Sequence, residues 1–233
     1  GKDYVGGVAG KNDQDLDGVD ASNTGMVHAT NGGAGGIFAK NSGHITNSIL
    51  TNNAIVAGTG TTGATGGIIG VNSGDITYSS LKNEVNGQVV GMNNVGGLIG
   101  QNRGDITGGR DAGDGYYKYQ IYNNGVIQVG IWNDNNGDHV VDNGELTLGG
   151  QGSNIGGLFG INTGKVTAAY NTGAIQADDS SNVGGIAGQN SGTIDQVFST
   201  IFDNNGNAGK VVGSTNVGGL VGWNTGVLSN AYN

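Results

Sequence analysis

The sequence predicts an all-β fold, a parallel β-solenoid (β-helix) of about seven coils that forms a single domain over residues 1–233. Three observations predict this class. A glycine-rich motif recurs seven times, as in repeat proteins whose units bury an apolar face only by stacking on one another. The chain has 51 glycines and no proline, so no residue would delete a ladder hydrogen bond from an interior strand. No segment combines helical apolar spacing with helix caps.

The motif is clearest from Gly96 to Ile106, which reads Gly-Gly-Leu-Ile-Gly-Gln-Asn-Arg-Gly-Asp-Ile. Its third position is aliphatic and its seventh is Asn in every copy. The other copies begin at Gly6, Gly35, Gly66, Gly156, Gly184 and Gly218. The seven asparagines are Asn12, Asn41, Asn72, Asn102, Asn162, Asn190 and Asn224. Stacked coils would align these amides in a hydrogen-bonded ladder; the alternative is that they serve only the turn.

Each coil is expected to contain three short strands. The first, as in Val95–Gly100, carries apolar side chains on both faces, and its glycines let another backbone approach closely. The Asn-x-Gly sequence then predicts a turn. The second strand has an inward aliphatic residue at Ile45, Ile76, Ile106, Val166, Ile194 or Leu228. The third strand is expected near Ile55, Val89, Ile127, Ile175 and Val211.

Three segments interrupt the period and are predicted to be inserted loops, at about residues 13–23, 108–120 and 130–149. The last two lie in the interval of 60 residues between Gly96 and Gly156. The segment Ile121–Gln128 matches Ala169–Gln176, which favours one repeat with two added loops. A decayed eighth repeat is the alternative.

The pattern Gly-Gly-Leu-x-Gly-x-Asn-x-Gly-x-Ile resembles the GLUG motif of large bacterial surface proteins, which include adhesins and regions beside immunoglobulin A-cleaving metalloproteases. The resemblance covers nearly the whole chain and departs at Ala39, where the motif usually has Gly. It implies an extracellular bacterial repeat scaffold at the cell surface. It transfers no catalytic residue, and the sequence contains no zinc-protease His-Glu-x-x-His.

The segment Asp134–Glu145 fits the twelve-residue calcium loop of an EF-hand, with oxygen ligands at the first, third, fifth, seventh, ninth and twelfth positions. The predicted ligands are Asp134, Asn136, Asp138, the carbonyl of Val140, Asp142 and Glu145. One departure is His139 at the sixth position, where the loop requires Gly. A polar turn rich in Asp and Asn is the alternative interpretation.

A second candidate calcium segment is Asp13–Asp20, in which carboxylates alternate and Gly18 stands at the sixth position. The predicted ligands are Asp13, Asp15, Asp17, the carbonyl of Val19 and Asp20. The twelfth position is Thr24, so the bidentate Glu is missing. Carboxylates this close repel one another unless a cation offsets them. Calcium is therefore expected as a structural ion that orders the loops.

Charge and composition exclude several functions. The formal charge of −9 argues against nucleic-acid binding, which needs a basic stripe. No apolar run reaches the length of a transmembrane helix, so no membrane insertion is expected. Polysaccharide-active enzymes on β-helices would need acids or bases clustered on one face, whereas the acid clusters here lie in calcium-like segments. The aromatic stretch 115–120 is a candidate contact patch.

The prediction for function is therefore a non-enzymatic extracellular structural or adhesive scaffold whose partner is a surface glycan or protein of a host or neighbouring cell. The motif starts at Tyr4 and continues to Asn233 with no capping segment recognised. The chain would then stack on the rest of a longer solenoid. Alternatively, it would stack head to tail on itself as a filament or sheath subunit, an open assembly. A polysaccharide-active enzyme is the third alternative.

Overall fold

The computed structural model describes residues 1–110, 117–133, 135–136, 145–201 and 210–233. These residues contain strands and no helix, and the strands stack in parallel as a β-solenoid of about seven turns. The predicted fold class is confirmed. The strands form four sheets, here named A, B, C and D in chain order. Coils 1 to 7 are numbered by their strands in sheet A, and among the described residues coils 1 to 5 contribute to all four sheets.

Sheets A and B each take one strand from every coil. Sheet A contains Val5–Gly6, Ala34–Gly35, Thr65–Gly66, Asn93–Gly96, Ser153–Gly156, Ser181–Gly184 and Thr215–Gly218. Sheet B contains Ala9–Asn12, Phe38–Asn41, Ile69–Asn72, Ile99–Asn102, Phe159–Asn162, Ala187–Asn190 and Val221–Asn224. Every motif copy thus bridges the corner between these two sheets.

Sheet C is the largest sheet and has two halves. Its first half contains Leu16–Asp17, Ile45–Thr46, Ile76–Thr77 and Ile106–Thr107. Its second half contains Asp20–Asn23, Ile49–Asn52, Ser80–Asn83 and Ile121–Asn123. In coils 5 to 7 the halves join as the single strands Lys165–Asn171, Thr193–Ser199 and Val227–Tyr232.

Sheet D closes the coils. Its parallel strands are Val27–Ala29, Val56–Gly58, Val89–Gly91, Ile127–Trp132 and Ile175–Gln176. In coil 2 this strand begins at Val56, which pairs with Val89, one residue after Ile55, near which it was expected. Val211 lies outside any strand. The main core lies between sheets B and C, and a smaller one lies between sheets A and D.

The expected single strand Val95–Gly100 is wrong. The strand in sheet A ends at Gly96, the chain turns at Gly97 and Leu98, and the strand in sheet B starts at Ile99. Leu98 and Ile99 are both fully buried. Consecutive residues can both face the interior because the corner interrupts the strict alternation of a strand.

The predicted insertion at residues 13–23 is also wrong. This segment pairs residue for residue with coil 2: Leu16 lies beside Ile45, and Asn23 lies beside Asn52. Its outward-facing residues Asp17 and Asp20 correspond to Thr46 and Ile49 of coil 2. Because of this difference the repeat was not recognised in the sequence of this segment. Leu16 is the inward aliphatic residue of coil 1 in sheet C.

The other two segments lie in coil 4. Within residues 108–120, Gly109–Arg110 pairs antiparallel with Tyr117–Tyr119. Within residues 130–149, the end of Ile127–Trp132 pairs antiparallel with Leu146–Leu148. After each of them the chain rejoins the stack, because Ile121 lies beside Ala169 and Ser153 lies beside Ser181.

Two glycines of coil 4 show why the motif needs residues without a side chain. A Cβ on Gly97 would lie 2.2 Å from the carbonyl oxygen of Gly157 and 2.4 Å from the Asn123 amide carbon. A Cβ on Gly104 would lie 2.0 Å from the carbonyl oxygen of Gly74. Both distances are far inside van der Waals contact, so any side chain at these positions would push neighbouring coils apart.

The asparagine ladder predicted from the motif is confirmed. Each amide Nδ2 donates a hydrogen bond to Oδ1 of the equivalent residue in the next coil, for example Asn72 to Asn102 and Asn102 to Asn162, both at 2.9 Å. The same Nδ2 of Asn102 also donates to the carbonyl of Gly104 at 2.7 Å. The asparagines therefore join the coils and close their turns at once.

A second asparagine ladder, which the sequence analysis did not predict, runs along sheet C. It joins Asn23, Asn52, Asn83, Asn123 and Asn171 through amide hydrogen bonds of 2.6–2.8 Å. In coil 6 the position is Ser199, which is 1% exposed and whose hydroxyl oxygen has no hydrogen-bond partner among the described residues. The short serine side chain thus interrupts this ladder.

We expect reciprocal changes in the two ladders to shift stability in opposite directions. Asn102→Ser should lower the free energy of unfolding by about 1–3 kcal/mol, because it leaves buried amide groups of adjacent coils unpaired. Ser199→Asn should raise it by about 1 kcal/mol, because Asn171 gains an acceptor. Urea unfolding followed by circular dichroism measures both. Asn224→Ser, at the exposed end of the first ladder, is the control and should change stability least. A loss of stability in Ser199→Asn would contradict the ladder model.

Candidate functional site

The acidic side chains of residues 13–20 are held by different neighbours along one edge of coils 1 and 2. Asp13 Oδ2 lies 2.5 Å from Lys11 Nζ, and this contact holds the pKa of Asp13 below its usual range. Asp15 Oδ1 accepts a hydrogen bond from the backbone N–H of His44 at 2.8 Å. The carboxylates of Asp13 and Asp15 are thus each engaged by a neighbouring residue.

The remaining predicted ligands of this segment are also placed by coil 2. Asp17 Oδ1 accepts from Asn47 Nδ2 at 2.8 Å and from Thr46 Oγ1 at 3.1 Å, and these bonds lower the pKa of Asp17. The carbonyl of Val19, the predicted seventh ligand, accepts from the backbone N–H of Ile49 at 2.8 Å. Asp20 is exposed at the start of its strand.

The structure does not bring these five residues together into a ligand sphere. Considering only residues 1–110, 117–133, 135–136, 145–201 and 210–233, no group of three or more His, Asp or Glu side chains is arranged to hold a metal ion. The alternating carboxylates belong to a regular strand–turn–strand path, which spreads them along the coil edge and does not wrap them around a point.

The second candidate segment follows the strand Ile127–Trp132. Of its predicted ligands the structure describes Asn136 and Glu145, whereas Asp134, Asp138, Val140 and Asp142 lie outside the described residues. Glu145 is buried. Its Oε2 accepts from the Trp132 indole N–H at 3.2 Å, and its Oε1 accepts from the backbone N–H of Asn135 at 3.0 Å. Glu145 therefore ties the two ends of the segment together.

Trp132 anchors this segment on the outer side of sheet D. It packs against Ala57 and Val90 of coils 2 and 3, with Met26 of coil 1 alongside. Its ring also meets that of His28 edge to face, with the centroids 4.2 Å apart. Trp132, two residues before the candidate calcium segment, thus extends from coil 4 across the stack to coil 1.

An aromatic column lies on the outer side of sheet C and consists of Tyr122, Tyr170, Phe198 and Tyr232. These residues occupy one register position in coils 4 to 7. The rings of Tyr122 and Tyr170 stack with centroids 5.2 Å apart, and those of Tyr170 and Phe198 stack at 4.9 Å with an interplanar angle of 1°. The distance between neighbouring rings is thus close to the distance between neighbouring strands of a sheet, about 4.8 Å.

The sequence analysis singled out the patch 115–120 and missed this column. The signal was present in the matched segments Ile121–Asn123 and Ala169–Asn171, whose central residues are both Tyr. The following copies place Phe198 and Tyr232 at the same position. A register-based alignment of the second half of each coil would have found it.

Tyr122 lies beside a carboxylate. Its hydroxyl donates a hydrogen bond to Glu84 Oε1 at 2.6 Å. Burial raises the pKa of Tyr122 well above its usual range, and the hydrogen bond to Glu84 raises it further. Burial raises the pKa of Tyr170 as well, with the charge of Glu84 as the second cause. The raised pKa values of Tyr122 and Tyr170 favour the protonated, neutral form of both side chains.

Comparison of the chain with known protein families, with characterised proteins and with solved structures found no match in any of the three. None of the described residues belongs to a helix with the length and apolar character needed to cross a membrane.

Stability should fall at alkaline pH through Tyr122. A pKa that is higher in the folded than in the unfolded chain stabilises the fold fully below the unfolded value, near 10, and this contribution is lost as pH rises above it. We expect urea unfolding at pH 9 to 11 to show this loss, at up to about 1.4 kcal/mol per pH unit for one proton.

Tyr122→Phe is the matched variant, because Phe198 already fills the same position of the column. It should lower stability at neutral pH by about 1 kcal/mol, since it removes one hydrogen bond. Its stability should then depend less steeply on alkaline pH than that of the parent. Equal slopes for parent and variant would contradict the assignment to Tyr122.

Proposed function

We propose that this chain is a non-enzymatic extracellular bacterial repeat scaffold with a structural or adhesive role. The observation that supports it best is where the repeated residues lie. The motif glycines, aliphatic residues and asparagines face neighbouring coils or the core, as Gly97, Leu98 and Asn102 show. The repeated part of the sequence is thus used for stacking, which is the task of a scaffold.

The outward positions carry different side chains from coil to coil. The central outward position of sheet B is occupied in order by Lys11, Lys40, Val71, Gln101, Ile161, Gln189 and Trp223. No single chemistry is repeated along this face. A solenoid with a uniform interior and a varied exterior suits the display of local contact sites, and the GLUG-like motif supports a place at the bacterial cell surface.

We further propose that calcium orders the loop 134–145. The two described ligands fit the ion, because Asn136 and Glu145 supply oxygen donors. The carboxylate oxygens of Glu145 contact Trp132 and Asn135, beside the start of the loop. Calcium would offset the charge of the loop carboxylates and hold the loop against coil 1 through Trp132.

Calorimetric titration of calcium into the metal-free chain should show binding heat, and Asp138→Ala should abolish it. Trp132 fluorescence should report the same event, because its indole N–H contacts Glu145. Asp15→Ala is the control and should bind calcium like the parent, since Asp15 is bonded to His44 in coil 2. Absence of heat in the parent, or unchanged heat in Asp138→Ala, would exclude the loop as a calcium site.

The alternative function is a head-to-tail filament or sheath, for which the end coils of the described stack offer apolar contact surface. Val8 in coil 1 is 55% exposed, whereas Ile37 at the same position of coil 2 is fully buried. Leu228 in coil 7 is exposed, whereas Ile194 beneath it is fully buried. These open apolar columns could be covered by a further coil of a longer solenoid or by a second copy of the chain.

Sedimentation velocity over a range of concentrations distinguishes these two arrangements. A filament subunit should sediment faster as concentration rises, and Leu228→Lys should prevent this because it places a charge in the stacking column. Trp223→Lys is the matched control, since the same outward position holds Lys11 and Lys40, and it should associate like the parent. A monomer at every concentration would contradict the filament.

A further inference from the structure

The outer side of sheet C changes its contour at coil 4. In coil 2, three residues separate Thr46 from Leu50, whereas in coil 5 a single residue separates Thr167 from Ala169. The segment 108–120 is inserted at the same point of coil 4. Tyr119 and Gln120, at the end of this segment, therefore form a wall beside the narrower coils 5 and 6.

A groove of about 240 Å³ lies against that wall. Its floor contains Ala168, which has a short side chain, and Ala169, whose side chain belongs to the core beneath. Tyr119 lines the side toward coil 3, and Tyr170 and Phe198 of the aromatic column line the other. The groove is thus bounded by aromatic rings on two sides.

The wall that contains Tyr119 and Gln120 is held in place by coil 3. The backbone N–H of Gln120 donates to Ser80 Oγ at 3.0 Å, and the carbonyl of Gln120 accepts from the N–H of Leu81 at 2.9 Å. The Tyr119 ring packs edge to face on Tyr78, with centroids 5.7 Å apart. A groove formed in advance loses little conformational entropy on binding.

Two amide side chains complete the lining, Gln120 of coil 4 and Gln196 of coil 6, the latter at the register position of Ala168. In the part of the chain that the structure describes, neither side-chain amide hydrogen-bonds another residue. None of the lining residues is charged. The groove therefore offers aromatic surface together with donors and acceptors, without electrostatic preference for an ion.

We propose that this groove binds a neutral sugar ring of a glycan. A pyranose ring presents C–H groups that pack on aromatic surface and hydroxyl groups that pair with amides, so it uses both parts of the lining. An apolar peptide side chain would instead leave the two amides unpaired as they lose water. The volume is below the 300–1,000 Å³ or so of pockets for drug-sized ligands, which fits one ring of a longer chain.

This inference rests on the proposed adhesive role and gives it a class of ligand. Sugar binding can nevertheless be measured without assuming that role. The probes are the neutral hexasaccharides of cellulose, laminarin, amylose, mannan and chitin, with an oligogalacturonate as the charged comparison. Titration calorimetry on the full chain should show binding of at least one neutral probe and none of the charged one. Recovery of the bound probe uncleaved is expected of a scaffold.

Two variants test the site with residues that other coils already accept. Phe198→Thr places in coil 6 the residue that Thr51 provides in coil 2, and Gln196→Ala adopts the residue and the positive φ of Ala168. Each should weaken binding by about tenfold through loss of one wall contact. Trp223→Gln is the control: it removes an exposed aromatic ring from sheet B at a position where Gln189 stands, and it should bind like the parent.

The groove assignment would be overturned if no neutral probe bound, or if the charged probe bound equally well. It would also be overturned if binding survived in the double variant that combines Phe198→Thr with Gln196→Ala. Binding that Trp223→Gln removes would overturn it as well. The proposed function fails separately: cleavage of a bound probe would contradict the non-enzymatic role and leave the sugar site standing. Attachment to cell-wall polysaccharide that the double variant retains would support the adhesive role without this groove.

Discussion

The distance between neighbouring coils is the constraint on which the rest of this molecule depends. Parallel strands lie about 4.8 Å apart, so each residue meets its equivalent in the next coil at that distance. Only side chains that tolerate a copy of themselves can occupy such positions in the interior. Aliphatic side chains pack on one another, and glycine leaves room where backbones meet, as Gly104 does above Gly74.

Asparagine meets the same constraint for buried polar positions. Its amide carries both a donor and an acceptor, so a column of identical amides can satisfy itself along its length, as Asn72, Asn102 and Asn162 do. A column of carboxylates could not, because like charges at this spacing repel. Ser199 shows the limit of the rule, since its side chain is too short to continue the ladder.

Outside the columns the constraint is weaker, and the chain uses this freedom in coil 4. One inserted segment sends Trp132 across sheet D, where Glu145 accepts its indole N–H. At the end of the other, Tyr119 and Gln120 line a groove beside the aromatic column. Both candidate sites therefore arise where the repeat is interrupted, and the regular coils supply the rigid base to which they are attached.

Much of the fold could be predicted from residue spacing, because the motif positions map directly onto columns. The predicted first asparagine ladder and the inward aliphatic residues of sheet C are examples. Prediction failed where outward-facing residues made a coil look unlike the others. The Asp side chains within residues 13–23 suggested an inserted calcium loop. In the structure, Leu16 and Asn23 occupy ordinary positions of coil 1. The groove was out of reach because its lining residues come from three coils.

The sequence by itself determined the class of fold, the number of coils and the residues that join them, since these follow from a period that every coil must share. Tertiary structure decided which side chains meet outside that period. It gave the carboxylates of Asp13, Asp15 and Asp17 different partners. It also brought Tyr119, Tyr170 and Phe198 into one groove. The physical reason is that stacking enforces equivalence only along the columns, whereas contacts between faces and insertions depend on the path of the chain in space.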